Sequence, residues 1–324
     1  VMVVIEDDGG HVPNGFTSAR SPGKQLSELS CLTRSFIRST QALYAAMWAL
    51  SPNPTGPDAT LAGSTAVIAV AQFAPSDDVA ANLASIDALV ATATARGAGL
   101  VVLPEYSTYF TPTQGSDWVA HAEPLDGPTV TALVAIAERH GVVLVTGARA
   151  TAPVDAKVRN TVVAIRPGEG VVAVYRKLHL YDAFGQLESD WVEPGAIEPP
   201  QLFEWGGFVV GLQTCYDIRF PEVSRRIVDA GADLLIVPAE WVRGPLKEHH
   251  WRTLLTARAL ENTVYVAAAD HIPPVGVGTS LVIDPMGVAV AAPGEAAGVA
   301  VAEVDPARVR AVREVNPALR LRRF

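Results

Sequence analysis

The sequence predicts an α/β fold in which a helix layer, two sheets and a second helix layer are stacked. Three observations predict it. The strand segments are apolar runs without the polar alternation of a half-exposed sheet, so both of their faces are covered. Helical patterns and short hairpins are interleaved with these runs, which suits sheets packed on each other with helices outside. A hydrophobic fraction of 49% against 18% charged residues, in 324 residues, supplies a core of that size.

The elements follow in order. Residues 1–62 are irregular in Ser, Arg, Gly and Pro, with one helical stretch from Leu26 to Leu50 that Ser51-Pro52-Asn53-Pro54 would stop. This stretch reads as an extension outside the fold, or as sequence upstream of a start near Met47, and it holds Cys31. From residue 63 onward a single domain is expected. Ala66 to Phe73 is a strand; Asp77 caps a helix in which Val79, Leu83, Ile86 and Val90 share a face. Leu100 to Leu103 is a buried strand, Thr129 to His140 a helix, Val142 to Thr146 a strand. Thr161 to Ile165 and Val171 to Tyr175 form a hairpin across Pro167-Gly168-Glu169-Gly170. Phe208 to Gln213 and Asp233 to Val237 are strands around a helix that starts near Phe220. The helix Leu246 to Asn262 precedes strands at 264–268, 279–283, 288–291 and 299–303, and Asp305 to Val312 is the last helix.

A formal charge of −9 argues against nucleic acid and anionic membranes as partners, because phosphate binding needs a basic cluster. Two cysteines cannot staple a secreted scaffold, so a reducing compartment, the cytoplasm, is expected. No apolar run approaches the roughly 18 residues of a spanning helix. His249-His250 point about 100° apart on a helix, and no metal-ligand spacing, phosphate loop or dinucleotide motif occurs, so neither metal nor cofactor is expected.

Three residues at strand ends could carry chemistry. Cys215 follows a strand and precedes Pro221, which suits a first helical turn, so a helix start would favour its thiolate. Glu105 sits just past a buried strand, where α/β proteins gather working groups. Lys177 ends a face formed by Val171, Ala173 and Tyr175, and its ammonium emerges at the rim of the core. Each alone reads sooner as a buried small hydrophobe, a solvated acid or a surface lysine.

Their joint appearance resembles the nitrilase, or carbon–nitrogen hydrolase, superfamily. The likeness lies in Leu103-Pro104-Glu105-Tyr106, in Tyr175-Arg176-Lys177-Leu178-His179-Leu180-Tyr181-Asp182, and in Cys215-Tyr216-Asp217-Ile218-Arg219-Phe220-Pro221-Glu222, and it extends weakly over residues 65–324. It implies a four-layer α-β-β-α sandwich, commonly paired as a homodimer or higher homo-oligomer. It also implies that Cys215 is the nucleophile, Glu105 the general base and Lys177 the oxyanion cation, with Glu188 as a further glutamate and Asp190 and Glu193 as its rivals. The backbone N–H of Tyr216 would complete the oxyanion site.

The motifs are most similar to the ω-amidase and deaminated-glutathione amidase branch, which implies hydrolysis of a small carboxylate-bearing amide through a thioester. Arg219, Arg243 and Lys247 are candidate cations for such a group, Arg219 having a structural alternative as a pin for the turn. Trp241 and Tyr109 would wall the pocket. The competing readings are a nitrilase or N-acyltransferase with the same residues, a Cys215–His179 pair as in papain-like enzymes, and a binding protein without catalysis.

Overall fold

The computed structural model describes residues 65–153 and 157–323. The extension, Cys31 and the alternative start at Met47 lie outside them. Two six-stranded sheets form the centre of the domain. The first has the order β12-β1-β2-β3-β4-β5, from β1 (Ala66–Gln72), β2 (Leu100–Val102), β3 (Val143–Thr151), β4 (Val158–Arg166), β5 (Gly170–Arg176) and β12 (Gly298–Val304). The second has the order β11-β10-β9-β8-β7-β6, from β6 (Leu202–Trp205), β7 (Phe208–Leu212), β8 (Leu234–Ala239), β9 (Tyr265–Asp270), β10 (Leu281–Ile283) and β11 (Ala289–Ala291). In each sheet three consecutive strands run parallel and the outer pairs are antiparallel.

Period-two geometry explains the layers. On β1, Ile68 and Val70 point into the space between the sheets, where they join Val102, Leu212, Ile236 and Ala267. Their neighbours Ala69 and Ala71 point the other way, onto Ile86 and Val90 of α1 (Val79–Ala95) and Leu133 and Ile136 of α3 (Pro128–His140). On the far side, Leu235 and Val237 meet Ile227 of α4 (Pro221–Asp229) and Trp251 and Leu255 of α5 (Lys247–Asn262). These four layers are the stack that the unalternated apolar runs require.

Local chemistry sets the helix ends. Pro128, Pro221 and Pro306 occupy first turns, where a missing N–H costs nothing, and Asp305 accepts from Ala307 N–H at the start of α6 (Pro306–Val315). The cap of α1 is Asp78, which accepts from Ala81 N–H at 3.0 Å, in place of the expected Asp77. The edge strand β6, the five-residue helix α2 (Ser116–Ala120) and the 3₁₀ turn Glu188–Asp190 go beyond the expected elements. β3 and β4 also run past their expected limits, because they pair with each other as far as Thr151 and Val158. Arg149 and Ala150 carry no strand preference of their own, so this extension is supplied by the partner strand. No described helix is long and apolar enough to cross a membrane.

Candidate active site

The parallel strands deliver their carboxyl ends to one place. Glu105 follows β2, Cys215 follows β7, Glu240 follows β8 and Lys177 follows β5. Gly147 on β3 backs the first of these: a Cβ there would lie 2.6 Å from Glu105 Cα, so only glycine allows the strand this close.

Lys177 is the hub. Its Nζ donates to Glu105 Oε1 at 3.0 Å and lies 2.8 Å from Glu188 Oε2. All three side chains are buried. Burial opposes charge on Lys177, but the Glu105 and Glu188 carboxylates outweigh it and hold its pKa well above the ordinary lysine value. Burial likewise works against Glu188, but Lys177 and hydrogen bonds from Tyr106 O–H at 2.6 Å and Tyr181 N–H at 2.6 Å keep it below the usual carboxylate range. Asn160 Nδ2 donates to Glu105 Oε1 at 2.5 Å and to Glu188 Oε1 at 3.1 Å, while Glu240 N–H donates to Glu105 Oε2 at 2.7 Å. Each oxygen of the Glu105 and Glu188 carboxylates therefore faces a donor. His271 completes the support, with Nε2 at 2.6 Å from the carbonyl oxygen of Glu105.

Cys215 and Lys177 line the same small cavity, with Tyr106, Tyr181, Glu188, Tyr216, Glu240, Trp241 and Lys247. The nucleophile candidate has φ +44°, a left-handed conformation that costs a non-glycine residue of order 1–3 kcal/mol and turns its side chain inward. The N–H of Tyr216 makes no hydrogen bond among the described residues, which leaves it free for an oxyanion. The protonation of the thiol differs from the sequence expectation. Cys215 opens a 3₁₀ turn and α4 begins only at Pro221, so no long helix start faces the sulfur. Burial, and then Glu105, push its pKa well above the ordinary thiol value. Both influences favour the protonated thiol, whose sulfur lies 3.4 Å from the carbonyl oxygen of Glu240.

Two expected site residues fall elsewhere. Tyr109 does not wall the cavity: its O–H donates to Asp117 at 2.9 Å and its ring is held between His121 and Arg149. Arg219 packs its guanidinium on Trp241, Phe184 and Tyr216, with Cζ 4.8 Å from the Trp241 centroid, and does not line the cavity. Nor does it pin the turn; Arg258 does, donating twice to the carbonyl oxygen of Ile218 at 3.0 and 2.7 Å. Trp241 does form the wall, and Lys247 stands beside it. Of the rivals to Glu188, Asp190 is exposed and Glu193 pairs with Arg159 at 3.3 Å.

His179 is spent on structure. Its Nδ1 lies 2.8 Å from Asp217 and its ring stacks on Phe220 at 3.7 Å, away from the cavity lining. A Cys–His pair has no footing here. No group of three or more His, Cys, Asp or Glu side chains among the described residues is set to hold a metal ion.

Asn160, Tyr106 and Glu240 escaped the sequence reading. The hairpin carried a signal for the first: it pairs Thr161 with Arg176, so the next pair is Asn160 and Lys177. Glu240 had the same signal as Glu105, an acid just past a buried strand.

A carbon-nitrogen hydrolase profile matches residues 67–314. The chain belongs to the carbon-nitrogen hydrolase family. Among relatives, the deaminated glutathione amidase of Escherichia coli O157:H7 is 52% identical over 125 residues, 39% of this chain and 47% of that protein. The chain thus matches about half the length of that relative. The human deaminated glutathione amidase is 31% identical over 289 residues, 84% of this chain and 82% of that one. Among solved structures, the C. elegans NitFhit protein superposes with a TM-score of 0.73 at 31% identity, over 80% of this chain and 65% of that chain. A mutant amidase from Nesterenkonia sp. AN1 in complex with acrylamide gives 0.69 at 29%, over 81% and 95%. The four-layer carbon-nitrogen hydrolase fold is thus shared with these proteins.

Proposed function

We propose that this carbon-nitrogen hydrolase cleaves a small, carboxylate-bearing amide to a carboxylic acid and an amine or ammonia, through a thioester on Cys215. The observation that carries the reading is the buried ammonium of Lys177, which joins Glu105 and Glu188 at 3.0 and 2.8 Å and borders one cavity with the thiol. A mutant amidase from Nesterenkonia whose active-site cysteine carries the acetamide moiety of fluoroacetamide supports a nucleophilic cysteine in this family.

In the first step Glu105 accepts the thiol proton as Sγ bonds to the amide carbon. The carbonyl π pair moves to oxygen, and the Lys177 ammonium and Tyr216 N–H meet the resulting charge. As that pair returns, the C–N bond breaks and Glu105 gives its proton to the departing nitrogen. Water then loses a proton to Glu105 and attacks the thioester. The C–S bond breaks, sulfur recovers the proton, and the acid leaves. Glu188 does not react in this scheme; it holds Lys177 and, through Asn160 and Tyr106, keeps Glu105 aimed.

Substrate choice rests on Lys247. Its Nζ donates to Tyr181 O–H at 2.7 Å and lies over the rings of Phe184 and Trp241, and no carboxylate among the described residues pairs with it. A cation left unpaired beside the thiol suits a substrate carboxylate, with Arg219 adding to the field. Pairing of two copies belongs to the same reading and suits the exposed apolar side chains Leu260, Met286, Val288 and Val290. The free thiol suits a reducing compartment such as the cytoplasm.

Ammonia release from short amides, run beside the matching nitriles, tests the reaction. Cys215→Ala is expected to abolish turnover and to leave the melting temperature within a few degrees. Turnover retained by that variant, or faster release from nitriles, would overturn the reading.

A further inference from the structure

The cavity at Cys215 is small, about 20 Å³, close to the space of one water molecule. It is the narrower of two adjoining spaces. A second chamber of about 240 Å³ adjoins it, and the two share Gln114, Tyr181, Glu240 and Val242 as walls. Lys247 borders only the inner cavity, whereas Arg243, Gln186 and Thr111 border only the outer chamber. A substrate whose acyl carboxylate lies on Lys247 therefore sends its leaving nitrogen toward the threshold.

Glu240 stands at that threshold. Its main chain is committed, the N–H to Glu105 and the carbonyl oxygen to the thiol. Its side chain is not: neither carboxyl oxygen has a hydrogen-bond or ion-pair partner among the described residues. We propose that Glu240 determines specificity on the leaving side of the amide, by donating a hydrogen bond from its carboxyl to a carbonyl or carboxylate on an amine substituent that enters the outer chamber. The inference rests on the amidase reading and adds to it a choice among amides by the substituent on nitrogen.

The surroundings favour a donor. Burial and then Glu105 raise the pKa of Glu240 well above the ordinary carboxyl value, Glu188 adds to this, and Lys177 and Lys247 oppose it. Cys215, Tyr106, Tyr181 and Asp270 face it from the other elements. A neutral carboxyl can donate; once ionised it only accepts, and repels an anionic substituent. Recognition should therefore fade as pH rises through its raised pKa.

The test compares succinamate with N-succinylglycine, which share an acyl group and differ in the leaving amine. Glu240→Ala should lower kcat/KM for N-succinylglycine about 10- to 100-fold more than for succinamate, with the difference mostly in KM. Glu240→Gln, which keeps a donor, should recover most of that loss and remove the alkaline rise in KM. Binding of both compounds to the Cys215→Ala protein and to the doubly substituted Cys215→Ala/Glu240→Ala protein, by calorimetry, reads the same preference without turnover. Equal losses on both compounds, or Gln as damaging as Ala, would overturn the proposal and leave the amidase reading standing. Turnover of succinamate with none of N-succinylglycine would also overturn the proposal; failure of the wild-type enzyme on both amides would count against the amidase reading instead, and calorimetry would still decide the role of Glu240.

Discussion

Two lysines line one cavity, and the fold treats them in opposite ways. Lys177 is 2% exposed and lies between two carboxylates; Lys247 is 4% exposed and has only a phenol oxygen and the faces of aromatic rings. The pKa of Lys177 is driven up by its acids, whereas burial and then Arg219 lower that of Lys247. The difference teaches how to read a buried cation. A cation paired with the protein's own acids is already compensated, while one without a carboxylate can still receive one from a bound molecule.

The largest effect should come from removing the satisfied cation. Lys177→Met leaves Glu105 and Glu188 facing each other in a dry interior, and breaking such a buried group costs about 3–5 kcal/mol. Turnover should fall at least about 10²- to 10³-fold with the loss of an oxyanion partner. Urea denaturation and product release measure the two. Adding Glu188→Gln should restore stability but not turnover, since it relieves the charge without replacing the ammonium. A variant that stays stable alone would break the contrast between the two lysines.

Much of this arrangement was legible in the sequence, and the limits have physical causes. Glu105, Lys177 and Cys215 each sit just past an apolar run, so strand ends could be found without knowing how the sheets meet. Glu188 was reachable only through the family resemblance, because its 3₁₀ turn has no periodic pattern. Tyr109 was misplaced because composition marks an aromatic as pocket or core without saying which acid claims its hydroxyl; Asp117 does. The thiolate expectation rested on one proline that suggested a helix start at the cysteine, whereas burial and Glu105 favour the protonated form. The layering was legible because period two splits Ile68 and Val70 from Ala69 and Ala71.

His271 offers a third treatment of a buried base and a smaller effect. Burial lowers its pKa from 6.5 to about 4, so it stays neutral while bonded to the carbonyl of Glu105. The unfolded chain takes up a proton below pH 6.5 that the folded chain refuses until about 4. Stability should therefore be intact above that window and fall by about 3 kcal/mol as pH drops through it. Denaturant titrations at pH 7.5 and 4.5 measure the change, and His271→Gln, which keeps a donor, should reduce it. A pH dependence unaltered in that variant would mean that His271 is not the group responsible.

The smallest effect sharpens the comparison most, because it separates binding from chemistry at the unpaired lysine. Lys247→Met removes a cation that the fold leaves without a carboxylate, so stability should hold or rise slightly. For succinamate, KM should increase about 10- to 100-fold, the range expected from one charge-assisted hydrogen bond of about 1.5–3 kcal/mol, with kcat little changed. Butyramide, of similar length but uncharged, should change by less than about threefold. The lowered pKa of Lys247 adds a sign: in the wild type, preference for succinamate over butyramide should fade as pH rises, and earlier than an ordinary lysine would dictate. In Lys247→Met that fading should be absent, because no titrating cation is left to lose. Equal losses on both amides would place Lys247 with Lys177 in the reaction itself, and the two lysines would no longer be opposites.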